Sequence, residues 1–401
     1  MKVLMVIPVF YPAFDYGGPI PVALNNAKYL VSRGHKVTVW TTNLVSSKGG
    51  KLAKRTEVRD VEGIRTVYLN SVVRYRWTGL APDVFRYAYR EIAEYDVIHI
   101  YGFREFLTLI ASVWARAVGK PYVLQTLGTV PRITRSRIKK LIFDTLFGRT
   151  ILHSAAALIA KTPADREPYL HAGIAPEKIS LIPNGIDEPM ELKQVREGEF
   201  RQEYGIRDDE ALFLYVGRIH PVKGVDLLVK AFAELDGPVR LAIVGPDEGY
   251  RRDVQRFVVQ RRIGRSVIFT GPLYGARKWT AYRDADVYIL PSIHENFGNT
   301  VLEAMVCGTP VIVTDRCGIA SQIKDRAGLV VPYEEEALAR AMERLVGDAE
   351  LRERLSEGGR RLLKDEFSWG PIVEKLESLY EEVVAEAYEI RGSGSNDRGE
   401  P

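Results

Sequence analysis

Short apolar runs rich in β-branched residues alternate with longer stretches of helical period along most of the chain. Runs at 3–8, 36–41, 66–68, 97–101, 122–126 and 157–160 read as strands. Helical periodicity falls between them, at 21–32, 103–118 and 137–146. A second strand series follows at 213–216, 239–244, 267–270, 287–290, 310–314 and 328–331. Strands apolar on both faces and separated by helices predict parallel sheets covered on both sides, and two such series predict two doubly wound α/β halves. Turn chemistry at Pro183-Asn184-Gly185 marks the boundary. The expected organisation is a first domain over 1–184 and a second over 185–367. A charged helix over 368–390 is expected to pack back on the first domain, ahead of a disordered Gly/Ser/Asp-rich tail over 391–401. Open parallel sheets bind ligands beyond the carboxyl ends of their strands, so chemistry is expected in the loops after strands and in a cleft between the halves.

Four of those loops carry informative residues. Gly17-Gly18-Pro19-Ile20 opens a helix after the first strand. Its glycines either let backbone approach an anionic ligand or make a tight turn before a Pro-started helix. Gly217-Arg218-Ile219-His220-Pro221-Val222-Lys223-Gly224 directly follows the strand at 213–216. An Arg fork and a Lys point charge on one strand-to-helix loop suit a diphosphate; the alternative is a solvated basic loop. Glu295-Asn296-Phe297-Gly298-Asn299-Thr300-Val301-Leu302-Glu303 follows the strand at 287–290. There Gly298 and Asn299 mark the start of a helix whose N–H groups are unpaired within it. Glu295 on the loop and Glu303 one turn in suit hydroxyl recognition, or else one Glu caps and the other is solvated. Glu303 lies in an apolar run, where an unpaired charge is costly. Cys307-Gly308-Thr309-Pro310 reads as scaffold, with Cys307 and Cys317 as small buried residues. His99 ends a strand and is either a core or a cleft residue.

Composition excludes several classes. Two cysteines cannot build a disulfide framework or a zinc finger, and the six histidines do not cluster, so no metal is expected. The 46% apolar share supplies two cores, and 27% charged residues argue against global disorder. The opening Met1-Lys2-Val3-Leu4-Met5-Val6-Ile7-Pro8 is too short a run for a secretion signal, and no stretch reaches the ~18 apolar residues of a membrane span. A cytoplasmic protein is expected. The Gly-x-Gly-x-x-Gly of a dinucleotide fold is missing, which weakens a nicotinamide oxidoreductase reading.

Net charge is only +4, yet residues 1–185 hold 26 basic against 13 acidic side chains, and residues 186–401 hold 30 against 39. The +13 of the first part predicts a polyanionic partner. Segment 132–149 carries six basic residues and one acid, with Ile138, Leu141, Ile142, Leu146 and Phe147 at helical spacing. That pattern fits a helix on an anionic membrane surface at the inner face of the cell membrane; a half-buried helix with a solvated basic face is the alternative. A second basic-aromatic piece is Arg74-Tyr75-Arg76-Trp77. The basic residues are not interleaved with stacking aromatics, so nucleic acid is not expected as a partner.

Taken together, these residues resemble glycosyltransferase family 4, retaining enzymes of the GT-B fold. Glu295 to Glu303 with Phe297-Gly298 and Ala304-Met305 matches the Glu-x7-Glu motif, and Gly217-Arg218 with Lys223-Gly224 matches the phosphate loop. Pro183-Asn184-Gly185-Ile186-Asp187 is similar to the interdomain segment, Asp96-Val97-Ile98-His99-Ile100 to a strand motif of the first domain, and Gly17-Gly18 to donor-contacting glycines. The resemblance spans residues 1–380 or so, in family order.

The resemblance implies two Rossmann-like domains facing across a cleft, a nucleotide-diphosphate sugar as donor substrate, and no other cofactor. Arg218 and Lys223 then neutralise the departing diphosphate in place of a metal. Glu295 holds sugar hydroxyls, Glu303 the ribose, and the 297–299 amides add dipolar stabilisation. Gly17, Gly18, Asn184, Gly217, Phe297, Gly298, Asn299 and Thr300 complete the donor set. His99, Gly128 and Thr129 are the acceptor or cleft candidates, and the acceptor is a glycan or a lipid-linked sugar bound to the first domain. One position departs from the family pattern: Leu127 stands where relatives carry His or Arg before a glycine, leaving the main chain of 127–129 as the substitute. A sugar-nucleotide-binding protein without transfer, and a nucleotide-sugar isomerase, are the competing functions.

Overall fold

The computed structural model describes residues 1–46, 49–75, 78–131 and 137–395. The chain divides into two compact units, Met1–Asn184 with the chain from Trp369 onward, and Gly185–Ser368.

In the first unit the strands are β1 (Lys2–Val6), β2 (Lys36–Thr42), β3 (Glu57–Val61), β4 (Ile64–Leu69), β5 (Val73–Tyr75), β6 (Thr78–Leu80), β7 (Val97–Tyr101), β8 (Tyr122–Gln125), β9 (Ala157–Ala160) and β10 (Ile179–Leu181). Eight form one sheet in the order β10-β9-β8-β7-β1-β2-β4-β3, and β5 pairs with β6 apart from it. All pairings in the large sheet are parallel except β3 with β4. Alternation along β1 explains the layers. Val3 and Met5 pack with Val97, Tyr101 and, from the helix Trp369–Ser395, Leu376 and Tyr380. Leu4 and Val6 face the other way, onto Leu107 and Ala111 of the helix Phe106–Ala117. Each buried Val, Leu or Met among them contributes about 1.5–3 kcal/mol.

In the second unit the strands are β11 (Ala211–Val216), β12 (Val239–Val244), β13 (Val267–Gly271), β14 (Val287–Leu290), β15 (Val311–Thr314) and β16 (Gly328–Val331). They form a six-stranded parallel sheet in the order β13-β12-β11-β14-β15-β16. Residues 287–290 and 311–314 are buried throughout, as strands covered on both faces must be.

All twelve strands expected from the apolar runs are present, with small shifts at their ends. β3, β5, β6 and β10 carry no such signal; β3 is an edge strand whose Val58, Arg59 and Asp60 are all exposed. The stretch read as one helix over 137–146 is instead an α-helix (Arg137–Phe143), a π-helical turn (Asp144–Gly148) and a further α-turn (Arg149–His153). The tail expected to be disordered from Arg391 continues the last helix to Ser395, because an established helix adds one backbone hydrogen bond per residue. The remaining tail, 396–401, lies outside the described residues, as do Arg76, Trp77 and 132–136.

Candidate functional site

At the carboxyl edge of the second sheet, short backbone contacts tie the loops after β11, β12, β14 and β15 together. Ile219 bridges Asp247, Ile293 N–H donates to Val222 O at 2.9 Å, and Glu295 bridges Cys317. The β11 loop packs closely against the β14 loop. Gly224 has φ +64°, and a Cβ there would stand 1.9 Å from Pro291 O, so only glycine fits. His220 starts the turn Pro221–Lys223, its Nδ1 accepting from Val222 N–H at 3.2 Å. That turn delivers Lys223, whose Nζ lies 2.5 Å from Glu295 Oε2, both side chains being largely buried. Burial opposes ionisation of Glu295, but the Lys223 ammonium, its hydrogen bond and the Phe297 amide outweigh it, and the carboxyl sits below its ordinary range. Arg218, at the start of the same loop, is half exposed and reaches both oxygens of Glu248, at 3.0 and 2.8 Å.

The helix Asn299–Val306 begins at Gly298, whose φ of +104° turns the chain from loop into helix. Phe297 is buried, its ring edge-on to Phe367 at 5.9 Å. Thr300 Oγ1 accepts from Tyr288 at 2.6 Å. Glu303 is neither a cap nor solvated. Lys278 Nζ donates to Oε1 and Tyr282 Oη to Oε2, each at 2.8 Å.

The structure thus gathers Gly217, Arg218, Lys223, Glu295, Phe297, Gly298, Asn299, Thr300 and Glu303 onto linked loops and one helix of a single unit. Missed by the sequence reading were Glu248, Lys278 and three buried tyrosines. Tyr215 donates to Arg218 O at 2.9 Å, Tyr288 to Thr300, and Tyr282 to Glu303. Such tyrosines are indistinguishable in sequence from core aromatics. Lys278 and Tyr282 did offer a signal, the i,i+4 spacing that sets two side chains on one helix face. Burial pushes the Cys307 thiol up to about 12 and Cys317 to about 11, so both stay protonated scaffold residues.

The other candidates lie in the first unit. Gly17 has φ +94° with open space where a Cβ would be, and Gly18 stands before the helix Pro19–Ser32. Asn184 is buried at the last position of its unit segment. His99 is corrected to a core residue. The face of β7 carrying Val97, His99 and Tyr101 is covered by the C-terminal helix, and Tyr380 Oη lies 2.6 Å from His99 Nδ1. Burial lowers the imidazole to about 3, so it is neutral. Leu127 and Gly128 both have positive φ, +55° and +71°, an unusual conformation for leucine. Thr129 N–H donates to Thr126 O at 3.1 Å, and Arg104 holds the carbonyls of Thr129 and Val130. The main chain of Thr129 is therefore committed rather than a substitute for the family's His or Arg.

Arg104 also takes both oxygens of Asp144 at 2.8 Å, joining this loop to the π turn. A cavity of about 880 Å³ beside them is lined by Phe103, Arg104, Val130, Arg149, His153 and His171, among others. Along the Arg137–Phe143 helix and the π turn, Ile138 (74%), Leu141, Ile142, Leu146 (63%) and Phe147 are all exposed. The stripe is therefore exposed most at Ile138 and Leu146, while Phe143 of the same helix packs against Phe103. Among the described residues, no group of three or more His, Cys, Asp and Glu is placed to hold a metal, and no helix is long and apolar enough to cross a membrane.

Residues 17–185 match the family model for the glycosyl transferase 4-like domain, and residues 196–362 that for glycosyl transferases group 1. An uncharacterized glycosyltransferase of Methanocaldococcus jannaschii is 28% identical over 225 residues, 55% of this chain, and the match spans about half of that relative's length, 55%. A D-inositol 3-phosphate glycosyltransferase of Jonesia denitrificans is 27% identical over 398 residues, 92% of this chain and 91% of that one. HepE of Anabaena, solved in complex with UDP and glucose, has the same fold, with a TM-score of 0.72 at 18% identity over 94% of this chain and 99% of that one. With two successive family matches laid over two Rossmann-like α/β units, the chain belongs to the family 4-like glycosyltransferases of the GT-B fold.

Proposed function

We propose that the protein transfers a sugar, with retention of anomeric configuration and without a metal ion, from a nucleotide-diphosphate sugar to a glycan or lipid-linked acceptor. The observation that carries this reading is the set of three cation–carboxylate contacts at one sheet edge: Arg218 with Glu248, Lys223 with Glu295, and Lys278 with Glu303. Arg218 and Lys223 supply the charge a diphosphate needs, from a loop that Gly224 lets pack against Pro291. In the proposed reaction the bond from C1 of the sugar to the β-phosphate oxygen breaks. The acceptor oxygen bonds C1 on the same face, and its proton passes to the β-phosphate. Arg218 and Lys223 stabilise the departing charge, Glu295 orients sugar hydroxyls, and Glu303 takes the ribose. Positioning and electrostatics supply the rate, because the phosphates need no covalent help.

The Anabaena protein of the same fold, solved with UDP and glucose bound, supports a nucleotide sugar as donor. Calorimetric titration with UDP-, GDP-, ADP- and CMP-sugars tests this. Binding of at least one is expected, and binding of none would remove the reading. For the acceptor, the outward apolar stripe from Ile138 to Phe147, with Lys139, Lys140 and Arg149 beside it, supports docking on an anionic membrane surface. The Jonesia relative, a D-inositol 3-phosphate glycosyltransferase, adds D-inositol 3-phosphate as a water-soluble acceptor to be assayed beside lipid-linked sugars.

A further inference from the structure

Glu303 lies on an eight-residue helix, in the run Val301-Leu302-Glu303-Ala304-Met305, where its neighbours are buried. A carboxylate in such a place has a choice of rotamers, and the wrong one would spoil it as a hydroxyl acceptor. Two side chains of another helix, Ala276–Asp284, remove that freedom. Tyr282 is fully buried, and its Oη donates to Oε2 at 2.8 Å. Lys278, one turn earlier on the same helix, donates to Oε1 at 2.8 Å. Lys278 is itself held, its Nζ lying 4.4 Å from the centre of the Trp279 ring. Thr309 Oγ1 donates to Tyr282 O at 2.6 Å, which fixes the end of that helix against the start of β15.

We propose that Lys278 and Tyr282 are positioning residues that hold the Glu303 carboxylate in one rotamer, so that its remaining lone pairs meet the ribose hydroxyls of the donor and the protein selects ribonucleotides over deoxyribonucleotides. This rests on the donor reading above. Each carboxylate oxygen has two acceptor positions, so an oxygen that takes Lys278 or Tyr282 still has one for a ribose hydroxyl. Burial and the nearby Glu303 charge raise the Tyr282 hydroxyl well above its ordinary range, which keeps it a donor. A site built to bond a hydroxyl rejects the analogue lacking it because its own polar group is then left unpaired.

The test is titration calorimetry on the full chain. UDP, GDP and ADP are titrated first, and the tightest is compared with its 2′-deoxy and 3′-deoxy forms. Wild type is expected to bind a deoxy form on the order of tenfold or more weakly, the size of one lost charge-assisted hydrogen bond. Lys278→Met and Tyr282→Phe are expected to bring that ratio toward one, Lys278→Arg to restore most of it, and Glu303→Gln to abolish it. A ratio unchanged in both Lys278→Met and Tyr282→Phe overturns the proposal, because a pair that merely braces two helices leaves sugar discrimination alone. If Tyr282→Phe does not fold, the half-buried Lys278→Met decides by itself. Wild-type binding without discrimination also overturns the proposal, whereas no binding of any nucleotide by wild type overturns the donor reading instead.

Discussion

Lys223 and Glu295 meet at 2.5 Å and are each other's counter-ion, while Arg218 does the same with Glu248 from a half-exposed position. A diphosphate competes with those carboxylates for the two cations. Arg218→Ala and Lys223→Ala are each expected to weaken nucleoside-diphosphate binding by on the order of 1–3 kcal/mol. Titration calorimetry reads this, and unchanged affinity in both variants places the diphosphate elsewhere. Gly224 supports the same loop by absence. Alanine there meets Pro291 O and an unfavourable φ together, so Gly224→Ala is expected to cost about 2 kcal/mol or more in denaturant unfolding. A loss under about 0.5 kcal/mol contradicts that packing. The charged residues of this site were legible because cations and carboxylates follow strand ends in the sequence. Their partners were not: Glu248 lies 30 positions from Arg218 and Glu303 lies 25 from Lys278, distances that only the fold closes.

Among the elements, continuous apolar strands announced themselves, since a parallel strand covered on both faces has no polar side to confuse the reading. Edge strand β3 was illegible for the opposite reason, and the three-residue β10 is too short to show a pattern. His99 shows how a strand end misleads: the residue occupies the face of β7 onto which the Trp369–Ser395 helix packs, with Tyr380 a sequence distance of 281 away. Its burial has a consequence for stability. The unfolded chain takes up a proton at His99 as pH falls below about 6.5, and the native state refuses it until about 3. Stability should therefore drop through that window with a slope of up to about 1.4 kcal/mol per pH unit from this group. His99→Gln is expected to flatten the acid limb measured by denaturant titration, and an identical limb contradicts a neutral buried imidazole. The outward stripe of the 137–148 segment makes its own prediction. Liposome flotation should recover the protein with anionic vesicles but not neutral ones, less so at high salt, and Ile142→Glu with Leu146→Glu should abolish recovery. Equal recovery on both vesicle types contradicts the docking surface.

For the whole molecule, the two-domain α/β organisation was legible from two strand series and one turn, but the charge partition was not. Dividing the chain at 185 gives +13 and −9. The acidic last helix belongs with the first unit, so by unit the counts become 29 basic against 21 acidic residues and 27 against 31, or +8 and −4. Arg33, bonded to Glu377 of that helix, shows where part of the basic surplus is neutralised. The proposed docking on an anionic surface accordingly leans on the local 137–149 segment more than on net charge. The second unit is acidic overall, and Arg218 and Lys223 are the local exceptions on the loop assigned to the diphosphate.

Release of nucleoside diphosphate from the donor that binds best, with water as acceptor, tests the central claim most directly. Wild type should hydrolyse it slowly without added metal and with chelator present. Glu295→Ala should lower the single-turnover rate by on the order of a hundredfold, the size of losing one preorganised hydrogen-bonding contact to the transition state. Equal rates for wild type and Glu295→Ala would contradict the assignment of sugar transfer to this site.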